Sequence, residues 1–291
     1  MKIKKLSPKE HDFTHKLGEI ATPPERLFYI GELPDTSDRH VVSIVGTRKP
    51  SSYGKEVTYK LAYELAKKGF VIVSGLALGV DAIAHQATLD AGGTTIAVIA
   101  TPLPDISPRT NLQLARQIVA RGGAIISEGQ EGDTLPLGRF SWPMRNRLVS
   151  GLSEGVIITE AAAKSGTLNT AAHALSQGRE VLVVPGNITS PLSAGCNNLL
   201  RQGATPVVEV EDILQTIAPE MISPTSKQTV LLLGDTPAEN ALLKLLADGV
   251  RDGEKLQQLS ELSAAEFSTT LTMLEINGLI RPLGANQWTI R

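Results

Sequence analysis

From residue 41 onward, short apolar runs alternate with longer stretches in which apolar residues recur every third or fourth position. Residues 41–45, 71–73, 95–99, 124–126, 156–159, 181–184 and 207–210 are dominated by β-branched and small apolar side chains and bounded by glycine or charge. Runs of that length without a polar face suit strands buried on both sides. Between them, residues 54–68, 80–91, 112–121, 167–177 and 197–202 carry helical spacing. The alternation predicts an α/β fold, a doubly wound and mostly parallel sheet with helices on both faces over residues 41–217. Residues 160–163 read Glu-Ala-Ala-Ala and have helical propensity, interrupted by Lys164-Ser165-Gly166-Thr167.

The two ends read differently. Residues 1–40 mix both charges and hold Pro23, Pro24 and Pro34, which predicts an extension with short helical pieces and no core of its own. Residues 218–236 mix Pro, Ser and Thr with one apolar run and read as a linker. Beyond it, 237–246, 256–261 and 264–277 read as three helices, and 279–290, split by Gly284-Ala285-Asn286, reads as a hairpin. Three helices and a wing make a small C-terminal winged-helix domain over 237–291. Its third helix has no Lys or Arg. A helix that reads a DNA groove needs such charges, so this one is expected to touch protein or regulate the main domain.

At 291 residues with 42% hydrophobic content, the chain is long enough for one large core and a small one. The N-terminus lacks the apolar centre of a secretory signal and no run is long enough to span a bilayer, so the expected address is cytoplasmic, without a membrane partner. Cys196 is the lone cysteine and is expected to be inert. Five scattered histidines offer no zinc spacing, and neither metal nor cofactor is expected. The net charge of −2 hides an asymmetry: residues 41–150 hold 12 Lys or Arg against 8 Asp or Glu, whereas 211–291 hold 6 against 11. A polyanion should meet the centre and be repelled by the tail.

Doubly wound sheets bind ligands beyond the carboxyl ends of their strands. The candidate loops there are small or basic: Gly46, Arg48 and Lys49 after the first strand, Ser74 and Gly75 after the second. The densest stretch is 145–170. Arg145, Asn146 and Arg147 supply two guanidinium forks and an amide, and Lys164, Ser165, Gly166 and Thr167 form a turn in which Gly166 can adopt left-handed geometry and Thr167 can cap the next helix. Each reading has a plainer rival. Arg48 can be a solvated loop charge, Ser74-Gly75 an ordinary strand-to-helix turn, and 164–167 a simple helix cap. One of the two arginines can be held in an internal ion pair with Glu128 or Glu160. Asp81 and His85, four apart on one helix, fit structural roles better than acid–base ones. Phe140 and Trp142 can stack on bases or anchor a core.

With SIVGTRKPSSYG, VSGLALGVDAIAHQATLDAGGTTIAV, ISEG, the long run RNRLVSGLSEG through VLVVPG, and GCNNLLRQGA in place, the chain resembles the DNA-processing protein A family, also called DprA or Smf. The resemblance runs from about residue 41 to residue 208, and the tail is similar to the family's winged helix. It implies an extended Rossmann fold. It also implies a homodimer that binds single-stranded DNA and loads RecA recombinase onto it, in DNA uptake, natural transformation and recombination, without catalysis. Ser107-Pro108 stands where the family often has Tyr-Pro, and Trp142-Pro143 sits just before Arg145. The alternative is a nucleotide-processing hydrolase of a related Rossmann fold, with Glu160 or Asp81 as general acid or base.

Overall fold

Each parallel strand of the main sheet is followed by a helix that carries the chain back to the sheet's starting edge, the connection that parallel pairing requires. In the computed structural model the described residues are 2–133, 141–222, 234, 236–284 and 286–290, and they fall in two units, 1–222 and 223–291. The first unit runs β1 (Lys4–Leu6), α1 (Asp12–His15), β2 (Leu27–Gly31), β3 (Val41–Val45), α2 (Ser52–Lys67), β4 (Val71–Ser74), α3 (Val80–Asp90), β5 (Thr95–Val98), α4 (Leu112–Ala120) and β6 (Ala124–Ser127). It continues through α5 (Ser141–Gly151), β7 (Gly155–Ile158), α6 (Thr167–Ser176), β8 (Glu180–Val183), α7 (Ala194–Arg201), β9 (Thr205–Pro206) and α8 (Val210–Ile217).

The strand order is β1-β2-β6-β5-β4-β3-β7-β8-β9. From β3 the chain steps outward through β4, β5 and β6, then returns to place β7 on β3's other flank, so the winding reverses between β3 and β7. Alternate side chains feed two cores. Val42, Ile44, Ile72 and Ile157 pack with Leu61 and Leu65 of α2, while Val41, Val45, Val71 and Val156 pack with Leu148, Val149 and Leu152 of α5. Ser43, a polar residue inside that second face, is satisfied there: its hydroxyl donates to the Val149 carbonyl at 2.8 Å.

Three expectations need correction. The N-terminal segment has the expected short helical pieces and no core of its own, Phe13 and Leu17 being buried in the main core, but it also supplies two unforeseen strands: β2 pairs antiparallel with β6, and β1 pairs with β2. Residues 207–210 are not a strand. Asp212 accepts the amides of Val208 and Glu209 at 2.7 and 3.0 Å, and this cap starts α8, whose Val210, Ile213 and Leu214 are buried. The expected linker also begins too early, because Ala218 packs in the core beside α8 and Pro219–Met221 forms a 3₁₀ turn of the first unit.

The second unit holds α9 (Pro237–Ala247), α10 (Gly253–Ser260), α11 (Ala264–Ile276), β10 (Ile280–Gly284) and β11 (Gln287–Ile290). Capping boxes at Thr236 and Ser263 open α9 and α11. Leu242, Leu246, Leu256, Leu271, Leu274 and Ile280 form its core. No helix among the described residues is long and apolar enough to cross a membrane.

Candidate nucleic-acid interface

Because the winding reverses between β3 and β7, the loops that leave these adjacent strands part and open a crevice. A cavity of about 740 Å³ lies there. Its walls come from Gly46, Arg48 and Lys49 after β3, Gly75 after β4, Arg145 and Asn146 on α5, and Lys164, Ser165, Gly166 and Thr167 leading into α6. The fold thus gathers ten of the twelve candidate residues from four separate segments around one space.

The other two are placed differently. Ser74 is fully buried, and its hydroxyl donates to the Ile44 carbonyl at 2.6 Å, tying β4 to β3 beneath the cavity. Arg147 points away. Its two terminal nitrogens donate to both oxygens of Glu128 at 2.8 and 2.6 Å, a bidentate internal pair. The plainer reading, an ion pair with Glu128, is the one the structure gives for this arginine. Two details of the 164–167 turn also change. Gly166 has φ −60°, ordinary right-handed geometry, and is itself the N-cap position of α6. The Thr167 amide donates to the Ser165 hydroxyl at 3.2 Å, closing the turn just before the helix, and α6 has no side-chain cap of the kind expected from Thr167. Residues 160–163 are not helical, because the chain there is spent on inter-segment bonds: the Glu160 carbonyl accepts the Thr47 amide at 2.8 Å, and the Ala161 carbonyl accepts the Gly195 amide at 2.8 Å.

Arg145 is the best-buried cation in the cavity wall, 7% exposed. Its Nη1 donates to the Val98 carbonyl at 2.5 Å, and its Nε has no partner. Burial pulls its pKa down, Asp81 opposes that, and the neighbouring Arg48 adds to the depression. Gly46 and Gly75 are required by close approach. A Cβ at Gly46 would stand 2.7 Å from Val80 Cγ2, and one at Gly75 would overlap the Arg145 guanidinium. Asp81, also buried, accepts the amides of Gly75 and Ala77 at 3.1 and 3.3 Å. Burial raises its pKa against the pull of Arg145 and those amides.

Glu160 does not line the cavity. Its carboxylate accepts the Ser51 amide and hydroxyl at 2.8 and 2.7 Å and fixes the start of α2. His85 is buried against Thr95 at 2.7 Å, and burial lifts the Cys196 thiol to about 11. Phe140 and the Trp142 side chain lie outside what is described. Thr47, within the first candidate loop, also lines the cavity, and so do Asn169 and Thr170, which the sequence reading missed. Asn169 and Thr170 lie one turn beyond Gly166, a spacing that shares a helix face and was the available signal.

The sequence profile of the DNA recombination-mediator protein A family matches residues 4–218, and that of the DprA winged helix domain matches residues 226–286. The chain is 44% identical over 212 residues to DNA processing protein DprA of Bacillus subtilis, covering 73% of this chain and 70% of that protein. It is 38% identical over 268 residues to protein Smf of Escherichia coli, covering 88% and 69%. Among solved structures it is similar to DNA processing protein A of Streptococcus pneumoniae, with a TM-score of 0.67, 39% identity and 75% of each chain covered. It is also similar to that of Helicobacter pylori, described for its single-stranded DNA binding mode, with a TM-score of 0.62, 36% identity, and 74% of this chain and 95% of that chain covered.

Proposed function

We propose that this chain, which belongs to the DNA recombination-mediator protein A family, holds the backbone of single-stranded DNA in the cavity between β3 and β7 and delivers the strand to a RecA recombinase. The observation that carries this reading is the convergence of four cations from separate segments, Arg48, Lys49, Arg145 and Lys164, on the wall of one cavity. Cations gathered at one concave site attract an anion, and a phosphate matches the guanidinium fork. Lys49 and Lys164 reach the same space from opposite loops, so neighbouring phosphates of a strand each find a cation. The Helicobacter pylori relative's single-stranded DNA binding mode supports the choice of polymer.

Binding without chemistry is favoured over nucleotide hydrolysis by the state of the acids. Glu160 has its carboxylate engaged at the start of α2, and Asp81 is held by two amides. Incubation with nucleoside monophosphates should therefore release no base. In the full reading the protein acts in the cytoplasm as a homodimer, during DNA uptake and recombination. Anisotropy titration of a thymidine oligomer at several salt concentrations tests the site. Arg48→Ala and Lys164→Ala should each weaken binding and flatten the slope of log K against log salt by about 0.7, one single-strand phosphate contact. Unchanged slopes for both would sink the reading.

A further inference from the structure

The turn that follows β4 seats a cation of the cavity wall, because the Arg145 guanidinium lies against Gly75 where a Cβ would overlap it. The far end of the same connection is fixed separately: the Val80 amide donates to the Thr47 carbonyl at 3.2 Å. Residues 75–77 between them need their own support. We propose that Asn111, at the end of the 3₁₀ turn Arg109–Asn111 that leads into α4, is a positioning residue for strand binding: it holds residues 75–77 in the shape that keeps Arg145 at the cavity. This inference rests on the backbone reading above.

The turn is held in a costly shape. Leu76 has φ +56°, left-handed geometry that a leucine rarely adopts. Among the described residues two other non-glycine positions share it, Glu261 at the end of α10 and Asn286 in the β10–β11 hairpin, where such geometry is usual. Leu76 is instead fully buried with Leu89, Ile99 and Leu103, so a glycine that relaxed the backbone would forfeit the anchor. Strain of this kind persists where the surroundings over-determine it. Two side chains do so here, one gripping the amides of the turn and the other its carbonyls. Asp81 accepts from Gly75 and Ala77, and Asn111 Nδ2 donates to the Leu76 and Ala77 carbonyls at 2.9 and 3.2 Å. Carbonyls only accept, so the amide nitrogen of Asn111 must be the atom that faces them. Asp81 belongs to the helix that the turn enters, whereas Asn111 comes from the next crossover, 35 and 34 residues along the chain from the two carbonyls. Asn111 is 8% exposed and is not part of the cavity wall. It therefore acts on a bound strand through the turn: without its donor the strained backbone relaxes, Gly75 shifts, and the guanidinium seated there loses its place.

Anisotropy titration of oligothymidine at several salt concentrations, with urea unfolding of each protein alongside, tests this. Asn111→Ala should bind about tenfold more weakly than the wild type and flatten the slope of log K against log salt by about 0.7, one phosphate contact. Asn111→Asp, equal in shape but lacking the donor, should bind no better. In an Arg145→Ala background the same Asn111→Ala change should cost less than about twofold, because the group it positions is gone. An unchanged affinity and slope in Asn111→Ala, wild-type binding by Asn111→Asp, or an equal loss with and without Arg145 overturns the positioning role. Amide hydrogen exchange in the wild-type protein, read by NMR, supplies a check that needs no variant. The Gly75 and Ala77 amides should exchange as slowly as those of β4, and exchange about a hundredfold faster would show that the turn is not held. Salt-independent strand binding by the wild type would instead remove the backbone reading itself.

Discussion

The guanidinium of Arg145 fills the space that a side chain at Gly75 would occupy: a Cβ built there would overlap Nη1 and Cζ. Gly75 does not need a left-handed backbone, so its requirement is set by that neighbour alone. The strand-end glycine and the helix arginine are one device, in which the missing side chain seats the cation at the rim of the sheet.

Gly75→Ala should therefore act by displacing Arg145 from the Val98 carbonyl. Strand affinity should fall about tenfold, equivalent to about 1.4 kcal/mol, while Arg145→Ala combined with Gly75→Ala should bind no worse than Arg145→Ala alone. A double-mutant cycle by anisotropy reads the coupling. Additive losses would show that the two positions act independently.

Arg147, two residues along the same helix, should behave in the opposite way. Its pairing with Glu128 is internal, and its side chain is only 7% exposed. Arg147→Ala leaves a poorly solvated carboxylate behind and should lower unfolding free energy by about 3 kcal/mol, at the mild end of the buried-pair range because Glu128 still touches solvent. The salt slope of strand binding should not move. Urea denaturation together with the titration separates the two effects; a loss of slope with full stability would return Arg147 to the binding site.

The contrast between these arginines explains what the sequence could and could not convey. The central strands were readable because burial on both faces leaves them continuous Val and Ile runs, and the crevice was readable because its loops concentrate Gly, Ser and Lys where parallel strands end. Arg145 and Arg147 looked equivalent because helix α5, with Pro143 near its start, shows no clear periodicity. Once the helix is known, residues two apart cannot share a face, and only one of them can reach the cavity. Ser74 and Gly75 differ by one position at a strand end, and nothing local says which side of the rim each falls on. β1 and β2 were hidden because a three-residue edge strand and a five-residue strand beside it, set among lysines and prolines, resemble loop. The 207–210 run alternates like a strand, but Asp212 two residues later captures its amides and turns the chain into α8.

The tail should be dispensable for holding the strand. α11 presents Glu266, Met273, Glu275 and Ile276 at its surface and carries no Lys or Arg. A chain ending at Ile222, the last residue of the first unit, should keep oligothymidine affinity within about twofold and the salt slope unchanged. Loss of binding on that truncation would move the principal site out of the β3–β7 crevice.

Acid should destabilise the main unit through His85. Burial holds its pKa near 3, against 6.5 for an ordinary imidazole. Thr95 gives its hydroxyl proton to the Ile72 carbonyl at 2.7 Å, so it can only accept from the His85 ring, which fixes the neutral form protonated at Nδ1. Between pH 6.5 and 3 the unfolded chain takes up a proton that the folded one refuses, and stability falls as pH falls, by up to about 1.4 kcal/mol per unit. From pH 7 to pH 5 this is about 2 kcal/mol. His85→Gln should shrink the difference in urea-unfolding free energy between those pH values by that amount, and an unchanged difference would mean that the ring is not held neutral.

His40 should give the reverse dependence. Its Nδ1 lies 2.7 Å from Glu154 and its Nε2 2.6 Å from Glu220, with Lys16 3.7 Å from the same Glu154 and the Phe70 ring packed alongside. Two carboxylates, one on each ring nitrogen, can both be satisfied only by the imidazolium. Burial alone would lower the pKa, but the two hydrogen bonds and charges outweigh it and raise it. The folded state thus binds a proton more tightly than the unfolded chain, so the contribution is complete below the unfolded value of 6.5 and is lost as pH rises through the higher folded value. Glu220 sits in the last 3₁₀ turn of the first unit, and the clamp ties that turn to the start of β3. His40→Gln should cost about 1 kcal/mol at pH 5.5, reduced from a fully buried pair because Glu220 is exposed, and close to nothing at pH 9. Urea unfolding of both proteins at the two pH values reads this directly. A cost that persists at pH 9 would assign the role of His40 to packing against Phe70 instead of to its charge.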